Sequence, residues 1–400
     1  MSMTRRELMA AAAATGASGL YGGDRWSDTV AFIEGEIAAG TIPGAALIAS
    51  RRGRSQFRQA WGTCCTLTNR QTPLSMETIH PLFSFSKLIS ATVIAMALDA
   101  ELLDLTSPVS RWLPEFIGGG KETITLRHLL THSAGIPNVP LGAVDTEASW
   151  GEAYLTVCAA KTEWAPGSRT FYHALSGLFV AACAARRVMG DAPWAELCRT
   201  RLFAPLGATS LSFALPTNAA RVALTPQPVT APASLRATFG FAGHPGAGCL
   251  GTPADALKVL HLHLSDGVAS GKPLLSRAVL DQMHAVQYAH EIEQARAAGR
   301  SPAHEPWGLG PLLRGPGASA PSHDWFGFRN QRSPEVFGHA GIDTVIGVAD
   351  RTSQIALLFA CTNSPKPPEK TVPLRNGVTD RVFNALSQAA VMRSKEVDTP

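Results

Sequence analysis

The chain has 400 residues, enough to bury one large core or two interlocked ones, and its 45% apolar and 16% charged residues are the balance of a globular protein. A net charge of +4, with no clustered Lys/Arg stripe and no interleaved aromatics, argues against nucleic acid as a partner. No run beyond the N-terminus approaches the ~18–20 apolar residues that span a bilayer, so no integral membrane segment is expected.

Seven cysteines, an odd number without paired spacing, predict buried free thiols rather than a disulfide framework. At the start, Thr4-Arg5-Arg6-Glu7-Leu8-Met9 precedes the alanine run Ala10 to Ala14. Residues 1–24 are therefore similar to a twin-arginine export signal, which predicts a periplasmic or secreted protein. The alternative is an alanine-rich terminus on a cytoplasmic enzyme.

Apolar periodicity predicts a helix from Trp26 to Ala39, with Val30, Ile33 and Ile37 on one face. Ala45–Ser50 and Gln56–Gly62, separated by Arg51-Arg52-Gly53-Arg54, read as a strand hairpin. Thr66–Thr78 is loop-like. Pro81-Leu82-Phe83-Ser84-Phe85-Ser86-Lys87 then leads into a helix beginning near Ser84 and running to Leu98. Val109 to Leu113 marks a short helix. Ile124 to Pro137 is a capped helix ending in a Gly/Pro turn, and His132 within it reads as a hydrogen-bonding structural residue.

Helices follow at about Ala174–Val188 and Trp194–Phe203, and residues 214–250 read as irregular loops with short strands. Thr252-Pro253 caps a helix to about Ser265. His261 and His263 lie inside it, but residues two apart point to different sides of a helix, so no metal site is expected. Ser276–Val286 is helical and 315–322 a Gly/Pro/Ala connection. Strands are predicted at Val336–His339, Thr344–Asp350 and Gln354–Cys361, and a closing helix at Thr379–Met392.

Ser84 and Lys87 are three residues apart at a helix start, so both side chains share one face. A serine hydroxyl needs a base to remove its proton, and a desolvated lysine with a lowered pKa can be that base. The helix N-terminus offers N–H groups to an oxyanion. Ser86 is a weaker nucleophile candidate, because its neighbour Lys87 points elsewhere. Alone, Ser-x-x-Lys is common by chance. Here it is followed in order by Tyr172-His173-Ala174 and His339-Ala340-Gly341.

Together the three signals resemble the serine β-lactamase and penicillin-binding protein superfamily, in its class C-like branch with the family VIII carboxylesterases. Leu126 to Pro137, W-A-P-G-S (164–168), A-P-L-G-A (204–208), G-T-P-A-D (251–255) and residues 337–350 support it. The resemblance implies an α+β fold, with an antiparallel sheet flanked by helices and a mostly helical insertion. It places the α/β domain at 25–100 and 270–400 and the insertion at 101–269. It further implies catalysis by Ser84, Lys87 and Tyr172 and an oxyanion hole of the Ser84 and Ile342 backbone N–H groups. Substrate would lie against His339, Ala340, Gly341 and Ala174, with no cofactor and no metal.

Two departures bear on substrate. The family often has Tyr-x-Asn or Tyr-x-Ser where this chain ends in Ala174, and Lys-Thr-Gly where it has His339-Ala340-Gly341. Both remove groups that read a β-lactam. The expectation is a serine hydrolase acting on small or medium carboxylic esters as its small-molecule partner. A β-lactamase or D-Ala-D-Ala peptidase and an idle binding protein of the same fold are the alternatives. Oligomeric state is not legible.

Overall fold

Strand β1 (Gly44–Arg51) is buried along almost its whole length because it is covered on both faces, which is why its sequence is a continuous apolar run. In this computed structural model, residues 24–66, 71–216, 222–223, 239–317, 319–342, 345–362 and 368–397 are described. The Arg5-Arg6 stretch and Thr344 lie outside them. β1 pairs antiparallel with β2 (Arg54–Cys65) on one side and with β11 (Ile355–Cys361) on the other, setting Leu47 opposite both Gln59 and Phe359. The seven-stranded order is β3-β2-β1-β11-β10-β9-β8, where β3 is Gln71–Pro73, β8 Leu312–Leu313, β9 Val336–Ala340 and β10 Val345–Asp350. The sheet is thus sewn from the two ends of the chain, and the fold is α+β, as expected.

One face carries α1 (Ser27–Ala38) and the long α12 (Pro368–Val397). They approach closely at Gly377, where a Cβ would stand 2.5 Å from the Phe32 ring. The other face carries α2 (Ser86–Asp99), which is buried on nearly every side, and α8 (Pro253–Leu264). Although α8 falls in the 101–269 segment, it packs on β1, β10 and β11. α2 also packs on α5 (Ser176–Val188), and α5 on α3 (Leu126–Leu130) and α4 (Glu147–Ala159), which makes the mostly helical part. Further α-helices among the described residues are α6 (Trp194–Cys198), α7 (Ala204–Leu206), α9 (Arg277–Met283), α10 (Ala289–Ala297) and α11 (Ser322–Phe326).

Sequence periodicity missed α4, α10 and α11. α10 buries only Ile292, so it has no apolar stripe to read. The last helix starts eleven residues before Thr379, with Pro373 inside it. Among the described residues no helix is long and apolar enough to cross a membrane. Five of the seven cysteines (64, 183, 198, 249 and 361) are buried.

Candidate active site

The approach to Ser84 is held by the short strand β4 (His80–Pro81), which pairs with β5 (Leu250–Gly251), and by the Leu82 N–H donating to Cys249 O at 2.9 Å. The α-helix was expected to begin near Ser84. Instead a 3-10 turn, Phe83–Phe85, precedes it and α2 starts at Ser86. Phe83 has φ +44°, a left-handed backbone that lifts the turn out of the strand direction. Its ring packs against Phe239 and Phe241 at 5.8 and 6.4 Å. Phe85 points into the sheet, and β10 makes room by having Gly347 there: a Cβ would sit 2.1 Å from the Phe85 ring.

Ser84 and Lys87 meet as the spacing predicted. The Lys87 ammonium nitrogen donates to Ser84 Oγ at 3.0 Å and to Gly246 O at 2.8 Å. Lys87 is buried, and among the described residues no carboxylate pairs with it. Burial therefore lowers its pKa to about 7. Tyr172 stands on the other side of Ser84, and burial pushes its phenol above the ordinary range despite the opposing effects of Ser84 and Arg375. Lys87 Nζ lies 5.0 Å from the centre of the Tyr172 ring. Serine and amine are thus hydrogen-bonded, with the phenol beside them. Ser86, by contrast, is buried and accepts the Cys249 N–H at 3.0 Å.

The segment 125–136 is the bed on which the tyrosine loop lies. Thr125 caps α3 in a reciprocal box with His128. Beyond it, the carbonyls of His132, Ser133 and Gly135 accept N–H groups of Phe171, Gly167 and Glu163 at 2.9, 2.8 and 2.7 Å. His132 has φ +57° and its Nδ1 accepts the His173 N–H at 3.3 Å. Its ring lies 4.7 Å from that of Tyr172 and 4.5 Å from that of Trp307. Burial, then the neighbouring His173, Lys87 and His339, holds its pKa well below 6.5, so it is a neutral support.

His339, Ala340 and Gly341 end the strand beside the nucleophile turn. Gly341 is required there: a Cβ would stand 2.7 Å from Leu82 O. Its N–H donates to Val345 O at 2.6 Å, and the chain then turns so that Ile342 is 68% exposed. His339 is buried among Phe326, Trp307 and Tyr172, with ring distances of 4.8, 5.9 and 6.1 Å. Burial, with Lys87 and Arg375 nearby, keeps it neutral. Ala174 borders the loop around Gly246, where an added Cβ would meet Ala174 O at 3.1 Å.

Sequence reasoning missed three contributors. The glycine-rich stretch 239–249 read as irregular loop, yet it supplies the Gly246 carbonyl to Lys87. It also supplies the Pro245 carbonyl to Ser90 Oγ at 2.7 Å. His244 Nδ1 accepts the Gly246 N–H at 2.9 Å and so fixes that loop. Arg375, on α12, donates to the carbonyls of Trp325, Gly341 and Ile342 at 2.7, 2.6 and 3.1 Å. Nothing in the residue pattern marked it, because the closing helix starts eleven residues before its predicted Thr379 start. His261 and His263 go to different elements, Ser50 Oγ at 2.7 Å and Thr92 Oγ1 at 2.9 Å.

A family model described as Beta-lactamase matches residues 29–377. Esterase EstB of Burkholderia gladioli is 34% identical over 99 residues, 24% of this chain and 25% of that protein. A Beta-lactamase of Yersinia enterocolitica is 24% identical over 245 residues, 60% of each chain. The matched parts thus span a quarter to three fifths of these two relatives' lengths. Among solved structures, that of a family VIII carboxylesterase superposes with a TM-score of 0.71 at 21% identity, covering 91% of this chain and 99% of that one.

Proposed function

Because the chain belongs to the Beta-lactamase family, we propose that it is a serine hydrolase cleaving small or medium carboxylic esters through an acyl-enzyme on Ser84. The observation that carries this is Lys87: buried, 3.0 Å from Ser84 Oγ, and with a pKa near 7. A neutral amine at that distance takes the Ser84 proton as Oγ attacks the ester carbonyl. The tetrahedral oxyanion forms against the Ser84 and Ile342 N–H groups. As the C–O bond to the alcohol breaks, the proton passes through Tyr172 to the departing oxygen. Water then attacks the acyl-Ser84 ester by the same relay, and the free acid leaves.

The ester is favoured over the lactam by what surrounds the trio. Ala174 has no amide for an acylamino side chain, and neutral His339 has no charge for a carboxylate. Arg375 lies nearby but already holds three carbonyls. Lacking one charge-assisted and one neutral hydrogen bond removes about 2–4 kcal/mol of lactam recognition. The expected result is Ser84-dependent hydrolysis of p-nitrophenyl butyrate, with kcat/KM on benzylpenicillin at least about a hundredfold lower. Equal efficiency on the penicillin would return the β-lactamase or peptidase reading to first place. No Ser84 labelling by a fluorophosphonate would leave the idle binding protein.

The Arg5-Arg6 stretch supports export by the twin-arginine route. Replacing both arginines with lysine should then strand the protein in the cytoplasm. Mature native protein that retains Ala10 to Ala14 would overturn export.

A further inference from the structure

His244 is buried, its Nδ1 accepts the Gly246 N–H at 2.9 Å, and its Nε2 meets no acceptor among the described residues. Accepting at Nδ1 requires the ring proton to sit on Nε2, so a buried N–H is left unpaired near the Phe179 ring, whose centre is 5.7 Å away. A buried donor without a partner is rare and calls for a reason. The reason lies in what the Gly246 loop holds. Gly246 O takes the Lys87 amine at 2.8 Å, and the preceding carbonyl, Pro245 O, takes Ser90 Oγ at 2.7 Å. Lys87 and Ser90 are three apart on α2, so the loop docks on the helix face that presents the base. The turn also closes on the main chain of His244, whose O accepts the N–H groups of Ala247 and Gly248 at 3.0 and 2.6 Å. His244 therefore holds the Gly246 carbonyl from both flanks, by its ring on the N–H before it and by its own carbonyl on the N–H after it.

Resting on the hydrolase reading above, we propose that His244 is a positioning residue for catalysis: through Nδ1 it fixes the Gly246 carbonyl that orients the Lys87 amine on Ser84. A neutral amine has two N–H groups and one lone pair. With one N–H committed to Gly246 O, rotation about the Cε–Nζ bond is stopped, and the lone pair can be kept toward Ser84 Oγ, 3.0 Å away. The bond from a side chain to the N–H two residues on is that of an Asx turn, made here by an imidazole in place of Asn or Asp. The other titratable groups around Lys87 are Tyr172, His132 and His339, all neutral at pH 7, with the charge of Arg375 felt at Tyr172 and His339. A change at His244 alters none of these.

The test measures kcat/KM for p-nitrophenyl butyrate from pH 5 to 9 in the wild type, His244→Leu and His244→Asn. Leucine fills the space of the ring and offers no acceptor, so the Gly246 carbonyl is free to turn and its bond to the ammonium form of Lys87 weakens. The plateau of kcat/KM should fall by about 10- to 100-fold. The rise that Lys87 sets near pH 7 should move down by about one pH unit, the worth of a charge-assisted hydrogen bond. Asparagine carries its acceptor at the same place on the side chain, Oδ1 for Nδ1, and should restore most of the plateau and the wild-type midpoint. Because a midpoint does not depend on the amount of folded enzyme, loss of protein does not imitate the shift. Should the leucine variant fail to fold, His244→Gln, polar and with its acceptor one bond further out, takes its place with the same expected shift. A midpoint that stays or rises in the variant without the acceptor, or an asparagine variant no better than it, would overturn the proposal. In either case Ser84-dependent hydrolysis leaves the hydrolase reading standing. Turnover that survives Ser84→Ala overturns both.

Discussion

Lys87 owes its reactivity to what is missing around it. A lysine in water has a pKa near 10.4 and is a poor base at neutral pH. Here burial, with no carboxylate paired to it among the described residues, removes the stabilisation of the charged form, and the value falls to about 7. Tyr172 moves the other way and stays protonated through the neutral and mildly alkaline range. Ester hydrolysis should therefore rise as pH increases through about 7, where Lys87 loses its proton, and remain level to at least pH 9. A kcat/KM profile on a neutral ester reads this directly, and a flat profile from pH 5 to 9 would remove Lys87 as the base. Tyr172→Phe should lower kcat by about 10²- to 10⁴-fold, the worth of a positioned proton-transfer group. Ser86→Ala should spare kcat but leave the buried Cys249 N–H without its acceptor, costing about 1–3 kcal/mol of stability in a denaturant titration.

At the scale of elements, the nucleophile turn is positioned by glycines on a strand it does not belong to. Gly347 on β10 leaves the hollow that receives Phe85, and Gly341 at the end of β9 lets the strand pass against Leu82 O. Gly347→Ala would drive a methyl into the Phe85 ring, 2.1 Å away, so that the turn carrying Ser84 must shift. The expected outcome is about 1–3 kcal/mol less stability and labelling of Ser84 slowed by at least about tenfold, measured with a fluorophosphonate. Wild-type labelling would show that the turn is held elsewhere. What the sequence made legible follows the same division. β1, α2 and β9–β11 carry long apolar patterns and stood out, as did the Ser84–Lys87 pair, because a helix start fixes their separation. The Gly246 carbonyl, His244 and Arg375 did not, since each acts through backbone groups whose direction is set by tertiary contacts. α10, nearly all of it exposed, offered no period at all.

At the scale of the whole molecule, the buried histidines set a limit on acid tolerance. Burial lowers the pKa of His80, His173 and His323 to about 4 and of His244 and His263 to about 3. It holds His132, His284 and His339 well below 6.5. Several are locked as neutral rings by what they bond: His244 Nδ1 must accept the Gly246 N–H at 2.9 Å, and His263 and His284 share one hydrogen bond at 3.0 Å. In the unfolded chain the same rings titrate near 6.5. Above that pH both states are neutral and the histidines leave stability untouched. As pH falls below about 6.5, the unfolded state takes up protons that the native state refuses. Each such histidine then removes about 1.4 kcal/mol per pH unit until its own folded pKa is reached. With eight rings acting together, stability should fall steeply between about pH 6 and 4, well above the range in which carboxylates alone would cause acid unfolding. Urea titrations at half-unit steps from pH 7.5 to 4.5 check this, and His263→Gln should flatten the slope by up to one proton's worth. A midpoint that holds constant down to pH 4.5 would mean that these rings are protonated in the native state, and the neutral hydrogen bonds assigned to them would have to be redrawn.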